Sequence, residues 1–186
     1  MAEKIKLNKN SLRDQNQSLK LYLEFLPTLE LRKQQLQAEV AAARKELLAA
    51  IPRLGGAERD AARVRLGVNA YLDGRTREAY DYLRGLEVSS PEPGAERLYY
   101  LLACARRLNL TGEIAAFQQE LAARHATSPW RLEALIAEGN HHLLANRVPE
   151  YVAAFKACYE SFPEGERSDY CHWKVTWAEY LGRRPG

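Results

Sequence analysis

The 186-residue sequence is poor in the residues that most often act in catalysis, bind metal ions or form the disulfides that stabilise a small fold. It contains three cysteines, four histidines and one methionine. No run approaches the roughly 18 apolar residues that a membrane-spanning helix needs, and the N-terminus lacks the apolar centre of a signal peptide. We therefore expect no membrane span and a cytoplasmic protein. The odd number of cysteines, without metal-ligand spacing, predicts buried thiols at Cys104, Cys158 and Cys171.

The sequence also lacks a strong excess of charge of either sign. Its net charge is +3, with nine Lys and Arg against six Asp and Glu in residues 1–50 and eighteen of each in the rest. A face that binds nucleic acid needs clustered Lys and Arg to displace phosphate counterions. The even balance therefore argues against DNA or RNA as a partner.

Motifs that position catalytic groups are missing as well. The sequence has no Gly-rich phosphate loop, no nucleophile elbow and no Cys-x-x-Cys pair. His141 and His142 are adjacent, so on a helix they point about 100° apart and cannot chelate one metal ion together. We predict that the protein is not an enzyme and that it has no catalytic residue, cofactor or metal site.

The first fifty residues are rich in helix formers and carry a heptad repeat of apolar residues. Gln15 and Lys33 interrupt this apolar seam, and such polar insertions weaken a coiled coil but help to select its register. The pattern predicts one long helix whose seam is covered by a partner helix or by the domain that follows. The two apolar series are Leu12, Leu19, Leu26, Val40 and Leu47, and Tyr22, Leu29, Leu36, Ala43 and Ala50.

Prolines and glycines delimit this helix. Pro27 removes a backbone donor, so we expect a bend there. Pro52, followed by Gly55-Gly56, predicts the end of the helix. We therefore predict a rotor-shaft-like helix over residues 1–51 and a separate helical-repeat domain over residues 57–186.

Turn signals recur roughly every 36 residues beyond Gly56, a period typical of helix-turn-helix solenoids. One series lies near Gly74, Asn109 and Asn146, and Pro-containing marks at 89–91, 127–129 and 161–163 lie between its members. Together these marks predict seven helices near 57–73, 76–87, 93–108, 111–125, 129–145, 148–161 and 167–182.

The fold class that these patterns predict is all-α. A long coiled-coil-like helix comes first, and a tetratricopeptide-like α-solenoid of about seven helices follows it. Small residues such as Ala79 and Ala115 would let helices approach closely. In the last helix, Trp173, Trp177 and Leu181 have i, i+4, i+8 spacing, which predicts an apolar face that caps the stack.

The N-terminal region carries three distinctive runs: Lys-Leu-Asn-Lys-Asn at 6–10, Phe-Leu-Pro-Thr-Leu at 25–29 and Lys-Gln-Gln-Leu-Gln at 33–37. On these runs residues 1–44 resemble the D subunit of bacterial V/A-type rotary ATPases. The resemblance implies the first of two antiparallel helices of a central rotor shaft, which transmits torque and performs no chemistry. The second shaft helix has no counterpart here, so we expect no working shaft from these residues alone.

The repeat region carries another set of runs: Ser-Pro-Trp-Arg-Leu-Glu-Ala-Leu at 128–135, Ala-Cys-Tyr-Glu-Ser-Phe-Pro at 157–163 and Tyr-Cys-His-Trp-Lys-Val-Thr-Trp-Ala at 170–178. On these runs residues 46–186 resemble the helical-repeat scaffold of soluble lytic murein transglycosylases, which are cell-envelope proteins. The resemblance implies a non-catalytic superhelix ahead of a lysozyme-like catalytic domain. We expect no counterpart of that catalytic domain here.

The two resemblances together predict a chimera: a non-catalytic helical-repeat scaffold for protein interaction fused to a rotor-shaft-like helix. The alternatives are a central-stalk component of a V/A-type ATPase, similar to the D subunit, and a non-catalytic fragment of a lytic transglycosylase. We expect a protein partner or self-association through the N-terminal helix, and the resemblances alone imply ATPase subunits or peptidoglycan as further partners.

Candidate partner-binding residues fall into two groups. The first group lies on the seam of the N-terminal helix, and the second would line the concave face of the repeats. Packing between repeats is the alternative role of the tyrosines in the second group. The candidates are Leu19, Tyr22, Leu26, Leu29 and Leu36 on the helix, and Tyr99, Tyr100, His141, His142 and Tyr170 in the repeats.

Overall fold

The structure is a computed structural model that describes residues 9–182, with side chains from residue 12 onward. The chain divides into two compact units, Met1–Pro52 and Arg53–Gly186. The described part contains eight α-helices and no strand, which confirms the predicted all-α class. The helices are α1 (Lys9–Ala50), α2 (Gly56–Leu72), α3 (Thr76–Arg84), α4 (Pro91–Arg107), α5 (Thr111–Arg124), α6 (Pro129–Leu144), α7 (Val148–Ser161) and α8 (Glu166–Gly182).

The first unit is dominated by α1, a helix of 42 residues. At 1.5 Å per residue it is about 63 Å long. Pro27 lies inside the helix without ending it, and a 3-10 turn, Ile51–Arg53, follows its last residue. The long helix predicted from the heptad repeat is therefore present.

The second unit consists of three helical hairpins, α2–α3, α4–α5 and α6–α7, followed by α8. Consecutive helices pack on one another, and α4 also contacts α2 and α6. All seven helices predicted beyond Gly56 are present, and each predicted boundary lies within three residues of the observed one. The regular spacing of the Gly, Asn and Pro residues that signal turns therefore located the helices well.

The same turn ends the first helix of each hairpin. In each turn one residue adopts a left-handed φ, 81° at Gly74, 57° at Asn109 and 53° at Asn146. The N–H of the next residue then reaches back to the carbonyl five residues earlier, in the Schellman arrangement that satisfies the open end of a helix. These hydrogen bonds join Arg75 to Ala70, Leu110 to Ala105 and Arg147 to His142, each at 2.9 Å.

Two hairpins close over a glycine. A Cβ at Gly67 would lie 2.5 Å from Leu83 of the facing helix, and a Cβ at Gly139 would lie 2.6 Å from the ring of Phe155. Each glycine precedes its left-handed turn residue by seven positions, so the two contacts are equivalent in the repeat. The absence of a side chain lets these helices pack at short range.

The core of the second unit forms two clusters that divide within α6. The first cluster joins α2 to α5 and includes Ala134, and the second begins at Ile136 and extends through α7 to α8. A groove of about 240 Å³ lies between α5 and α6, lined by Leu121, Ala134 and Leu135 among others. The first two hairpins thus share one core cluster, and α6, α7 and α8 share most of the other.

The cysteine prediction is wrong for two of the three residues. Cys158 and Cys171 form a disulfide with a Cα–Cα distance of 6.1 Å, and only Cys104 is a free, buried thiol within the described residues. Burial raises the pKa of Cys104 to about 11. The sequence could not reveal the pair, because its two members lie on different helices and meet only when α7 packs on α8.

The predicted packing face of α8 is also wrong, although α8 does pack on α7. α8 buries Ser168, Cys171, Val175 and Ala178, whereas Trp173 is 54% exposed and Trp177 is 47% exposed. The small residues on the buried face allow close approach to α7, which the indole rings would prevent. Spacing identified an apolar face but not the direction in which it points.

Candidate functional site

The apolar seam of α1 is the first candidate surface. We define the α1 seam as Leu12, Leu19, Tyr22, Leu26, Leu29 and Leu36. Each of these side chains is at least half exposed, from 50% for Leu26 to 75% for Tyr22. The structure therefore places the five predicted helix residues on one exposed stripe, where a partner could reach them.

Further apolar residues widen this stripe. Leu23 and Phe25 flank the seam and are 60% and 58% exposed, while Leu21 and Leu31 extend apolar surface to the outer side. The sequence prediction missed these four residues because it considered only the two principal heptad positions. A lone helix gains little from propensity, so most helical stability must come from packing of such a face.

Aromatic rings line the first helices of the three hairpins. Tyr100 lies 5.5 Å from Tyr71 and 5.8 Å from Trp130, and Tyr99 contacts both Tyr100 and Trp130 at 5.1 and 5.3 Å between ring centroids. We call these four residues the aromatic belt. All four rings are half-buried against the first core cluster. The contacts show that the predicted tyrosines pack between repeats, and a role in binding stays a prediction.

Burial and a cation set the electrostatics of the aromatic belt. Burial raises the pKa of Tyr71, Tyr99 and Tyr100, so their hydroxyls stay protonated well above neutral pH. The guanidinium of Arg107 lies 4.0 Å from the centroid of the Tyr71 ring, at cation–π distance. The sequence prediction missed Arg107, because its position over a ring on α2 depends on hairpin packing.

His141 and His142 lie at the end of α6 opposite to Trp130. Their ring centroids are 5.5 Å apart, and Arg147 Nη2 lies 3.0 Å from His141 Nε2. Burial, followed by the charge of Arg147, lowers the pKa of His141, so it is neutral at pH 7. His142 Nε2 lies 3.8 Å from Glu138 Oε1. Both imidazole rings therefore contact other side chains of the same chain.

Tyr170 connects α8 to the preceding hairpin. Its hydroxyl donates to Asn140 Oδ1 at 2.9 Å, and its ring meets Phe155 edge-on at 5.8 Å. The structure thus separates the five repeat candidates into the aromatic belt, the histidine pair and this α8 contact. It does not bring them together as one site.

Asp60 is a buried carboxylate with structural partners. Asp60 Oδ2 accepts four hydrogen bonds, from the N–H and hydroxyl groups of Ser89 and Ser90, at 2.8 to 3.2 Å. Burial alone would raise the pKa of Asp60, but these hydrogen bonds outweigh it and hold the pKa below its usual value. This carboxylate joins the start of α2 to the loop before α4.

A second polar cluster joins α3 to α5. The Tyr80 hydroxyl donates to Glu113, and Arg84 Nη1 donates to the Tyr80 oxygen at 2.6 Å and to Glu113 Oε1 at 2.7 Å. The hydrogen bond from Tyr80 is the main cause that lowers the pKa of Glu113. These groups satisfy one another, so the cluster holds two hairpins in register.

Residues 9–182 contain neither a metal-binding cluster nor a membrane-spanning helix. No three His, Cys, Asp or Glu side chains in this range converge where they could hold a metal ion. None of the helices described is long and apolar enough to cross a membrane.

Comparison with known proteins finds one short similarity. Over 37 residues the chain is 54% identical to the V-type ATP synthase D subunit of Borreliella burgdorferi, a match that covers 20% of this chain and 18% of that relative. The chain thus spans less than a fifth of that relative's length. No family model and no solved structure matches. The similarity supports the resemblance of the N-terminal residues to the ATPase D subunit, and no comparison supports the resemblance to lytic transglycosylases.

Proposed function

We propose that the protein is a non-catalytic scaffold in which a helical-repeat unit carries an association helix. The observation that supports this function best is the α1 seam, whose six large apolar side chains are half or more exposed between Leu12 and Leu36 of the 42-residue helix. Contiguous apolar surface of this extent is typical of sites that bind another protein. An amphipathic partner helix would cover it in the manner of a coiled coil.

The second unit, Arg53–Gly186, which we call the repeat unit, has the properties of a rigid carrier. Its core clusters are its own, and fully buried residues such as Leu83, Leu101 and Phe155 lie within it. Its buried Asp60 and its Tyr80 cluster form hydrogen bonds that join hairpins. This arrangement favours a structural role over acid–base catalysis, which needs a titratable group open to substrate.

The disulfide bears on where such a scaffold works. Disulfides persist mainly in oxidising compartments and are rare in the cytosol. The Cys158–Cys171 pair therefore favours an oxidising compartment for the repeat unit over the cytoplasmic location expected from the N-terminus. A joining of two sequences of different origin, the chimera predicted above, would account for this conflict.

A chain that begins at Arg53 tests the proposed function. We expect it to unfold in one cooperative transition with the midpoint of the full chain, because its core does not depend on α1. We expect the full chain to associate with a helical partner or with itself, as measured by light scattering. The truncated chain should lose this association. A truncated chain that fails to fold, or that associates as strongly as the full chain, would contradict the proposal.

Two matched double variants locate the association on the α1 seam. Leu19→Asp with Leu29→Asp should abolish association, because each carboxylate would have to be buried beside apolar groups. Gln17→Asp with Gln34→Asp adds the same charge outside the seam and should leave association within about threefold of the original. Equal losses in both pairs would assign the effect to charge or to helix propensity rather than to the seam.

The similarity to the ATPase D subunit favours a second candidate, a component of the central stalk of a V-type ATPase. Under this hypothesis α1 binds helices of ATPase subunits. Purified V-type ATPase subunits, mixed with the full chain and with the Arg53 truncation, would test it by co-elution. Retention of the full chain alone would support this role, and elution of both chains at their free positions would exclude it. No observation favours a fragment of a lytic transglycosylase.

A further inference from the structure

We propose that the partner of α1 is the α1 of a second copy, packed antiparallel so that Leu19 faces Leu29 of the second copy. This proposal rests on the proposed function and names the helix that covers the α1 seam. In this register the numbers of two seam residues that face each other add to 48. The overlap covers residues 9–39 of both helices, all within the helix that the structure shows.

The pairing of polar residues selects this register. In an antiparallel coiled coil the two principal heptad positions of one helix face the opposite positions of the other. The chosen register places Lys33 against Gln15 of the second copy, so the ammonium can donate to the amide oxygen. Both interruptions of the seam then fall in the same layers. A register shifted by one heptad would instead place Lys33 against Tyr22 and Gln15 against Val40.

Large apolar residues face one another in the remaining layers. Leu12 faces Leu36, Leu19 faces Leu29 and Tyr22 faces Leu26, and symmetry repeats each of these pairs. No large residue of the seam then faces a small or charged residue. The Ala-rich stretch that begins at Val40 lies outside the overlap.

The flanking residues give independent support. Two positions beside the seam meet their own copies near the symmetry axis, and in this register they are Leu23 and Phe25, which are 60% and 58% exposed. Charged flanking residues face polar neutral ones: Arg32 faces Ser18, and Glu30 faces Asn16. The arrangement therefore covers the apolar flanks and creates no contact between like charges.

A parallel dimer fits the sequence less well. In a parallel pair each seam residue faces its own copy, so the two Lys33 ammonium groups would meet in the centre of the interface. Like charges in such a position oppose pairing. Leu23 and Phe25 would face Ser18 and Glu30 of the second copy rather than apolar residues. Charge and apolar complementarity thus both favour the antiparallel pair.

Cross-linking of single-cysteine variants tests the orientation and the register. With a short bis-maleimide, Leu23→Cys should cross-link to itself and Leu19→Cys should not. An equilibrated mixture of Leu19→Cys and Leu29→Cys should give the mixed product, identified by peptide mass spectrometry. The unmodified chain is the control, because Cys104 is buried and Cys158 and Cys171 are bonded to each other.

Other cross-linking results would overturn the proposal in distinct ways. Self-cross-linking of Leu19→Cys would show a parallel pair, and linkage of Leu19→Cys to Leu36→Cys in place of Leu29→Cys would show the shifted register. A monomeric mass with no cross-link would exclude the dimer. That last result would not contradict the proposed scaffold function if the Arg53 truncation folds. The dimer and the scaffold function can therefore fail separately.

A charge substitution provides a second measurement on the intact chain. Gln15→Glu places a carboxylate opposite Lys33 twice in the antiparallel dimer and should lower its dissociation constant about fivefold at low salt. In a parallel dimer the same change would bring two carboxylates together and raise that constant. The control variant Gln17→Glu changes a residue away from the centre line of the seam, so it should leave the dissociation constant unchanged. A weaker dimer with Gln15→Glu would overturn the proposal.

Discussion

The two units of this protein use similar helix-forming sequence but place their apolar residues in opposite environments. Leu12, Leu29 and other leucines of α1 are half or more exposed, whereas Leu83, Leu101 and Leu102 of the repeat unit are fully buried. Each hairpin of the repeats provides a neighbour for the next, and within residues 9–52 α1 has no hairpin partner. An apolar stripe thus predicts that a helix needs a partner, and the connections between helices decide whether the chain supplies it.

The two units also differ in their polar residues. Asp60 and Tyr80 of the repeats form hydrogen bonds that join one hairpin to the next. The polar residues that interrupt the α1 seam, Gln15 and Lys33, are instead exposed on the helix surface. In the repeats these polar contacts fix the register of helices that pack within one chain. In α1 we propose that the polar residues select the register between two chains.

The same substitution made in each unit should give the largest contrast. Leu101→Ala removes a fully buried side chain and should lower the free energy of unfolding of the repeat unit by about 2 to 5 kcal/mol. Leu29→Ala in α1 should leave that transition within about 0.5 kcal/mol and weaken association instead. Urea denaturation followed by circular dichroism, with light scattering, measures both. Similar losses of unfolding free energy would remove the distinction between the units.

Loss of the disulfide should have the next largest effect. Replacing Cys158 and Cys171 together by alanine removes a cross-link between residues 13 positions apart and should cost about 3 kcal/mol of unfolding free energy. Adding a reductant to the original protein should cause a similar loss and should not affect the double variant. Identical stability of the original protein with and without reductant would show that the bond does not form.

The closely packed glycines should tolerate no side chain. Gly139→Ala places a methyl group against the Phe155 ring and should destabilise the repeat unit by about 1 to 3 kcal/mol. Gly112→Ala is the matched control, because it lies in α5 with no atom within 4 Å of the added carbon. That control should be neutral or stabilising by up to about 1 kcal/mol, since alanine favours helices. Equal effects would contradict the close approach of α6 and α7.

Loss of the Asp60 carboxylate should have an effect of similar size that, unlike the others, depends on pH. Asp60→Asn should cost about 1 to 3 kcal/mol at pH 7, because a neutral amide accepts hydrogen bonds less strongly than a carboxylate. The folded-state pKa of Asp60 lies below the unfolded value, so its contribution is present above about pH 4 and is lost as pH falls through the folded pKa. The difference in unfolding free energy between the two proteins should therefore shrink at low pH. A difference that is constant from pH 7 to pH 3 would exclude the ionised form as the cause.

The sequence predicted those features that depend on neighbouring residues along the chain. Heptad spacing located α1, and the turns at Gly74, Asn109 and Asn146 located the hairpins, because a left-handed turn residue is a local requirement. The seam residues were predicted in the same way, since positions three and four apart share a helix face. Leu23 and Phe25 were missed because the breadth of an apolar face is less well marked than its centre.

The tertiary structure decided which faces meet and at what distance. The bond between Cys158 and Cys171, the outward face of Trp173 and Trp177 and the approach of Gly139 to Phe155 all depend on how far each helix rotates about its own axis. That rotation is set by the volumes of side chains on two or three helices together, so no single segment encodes it. The sequence alone was enough to place helices and turns and to mark an α1 seam in need of cover, and the packing of helices determined the rest.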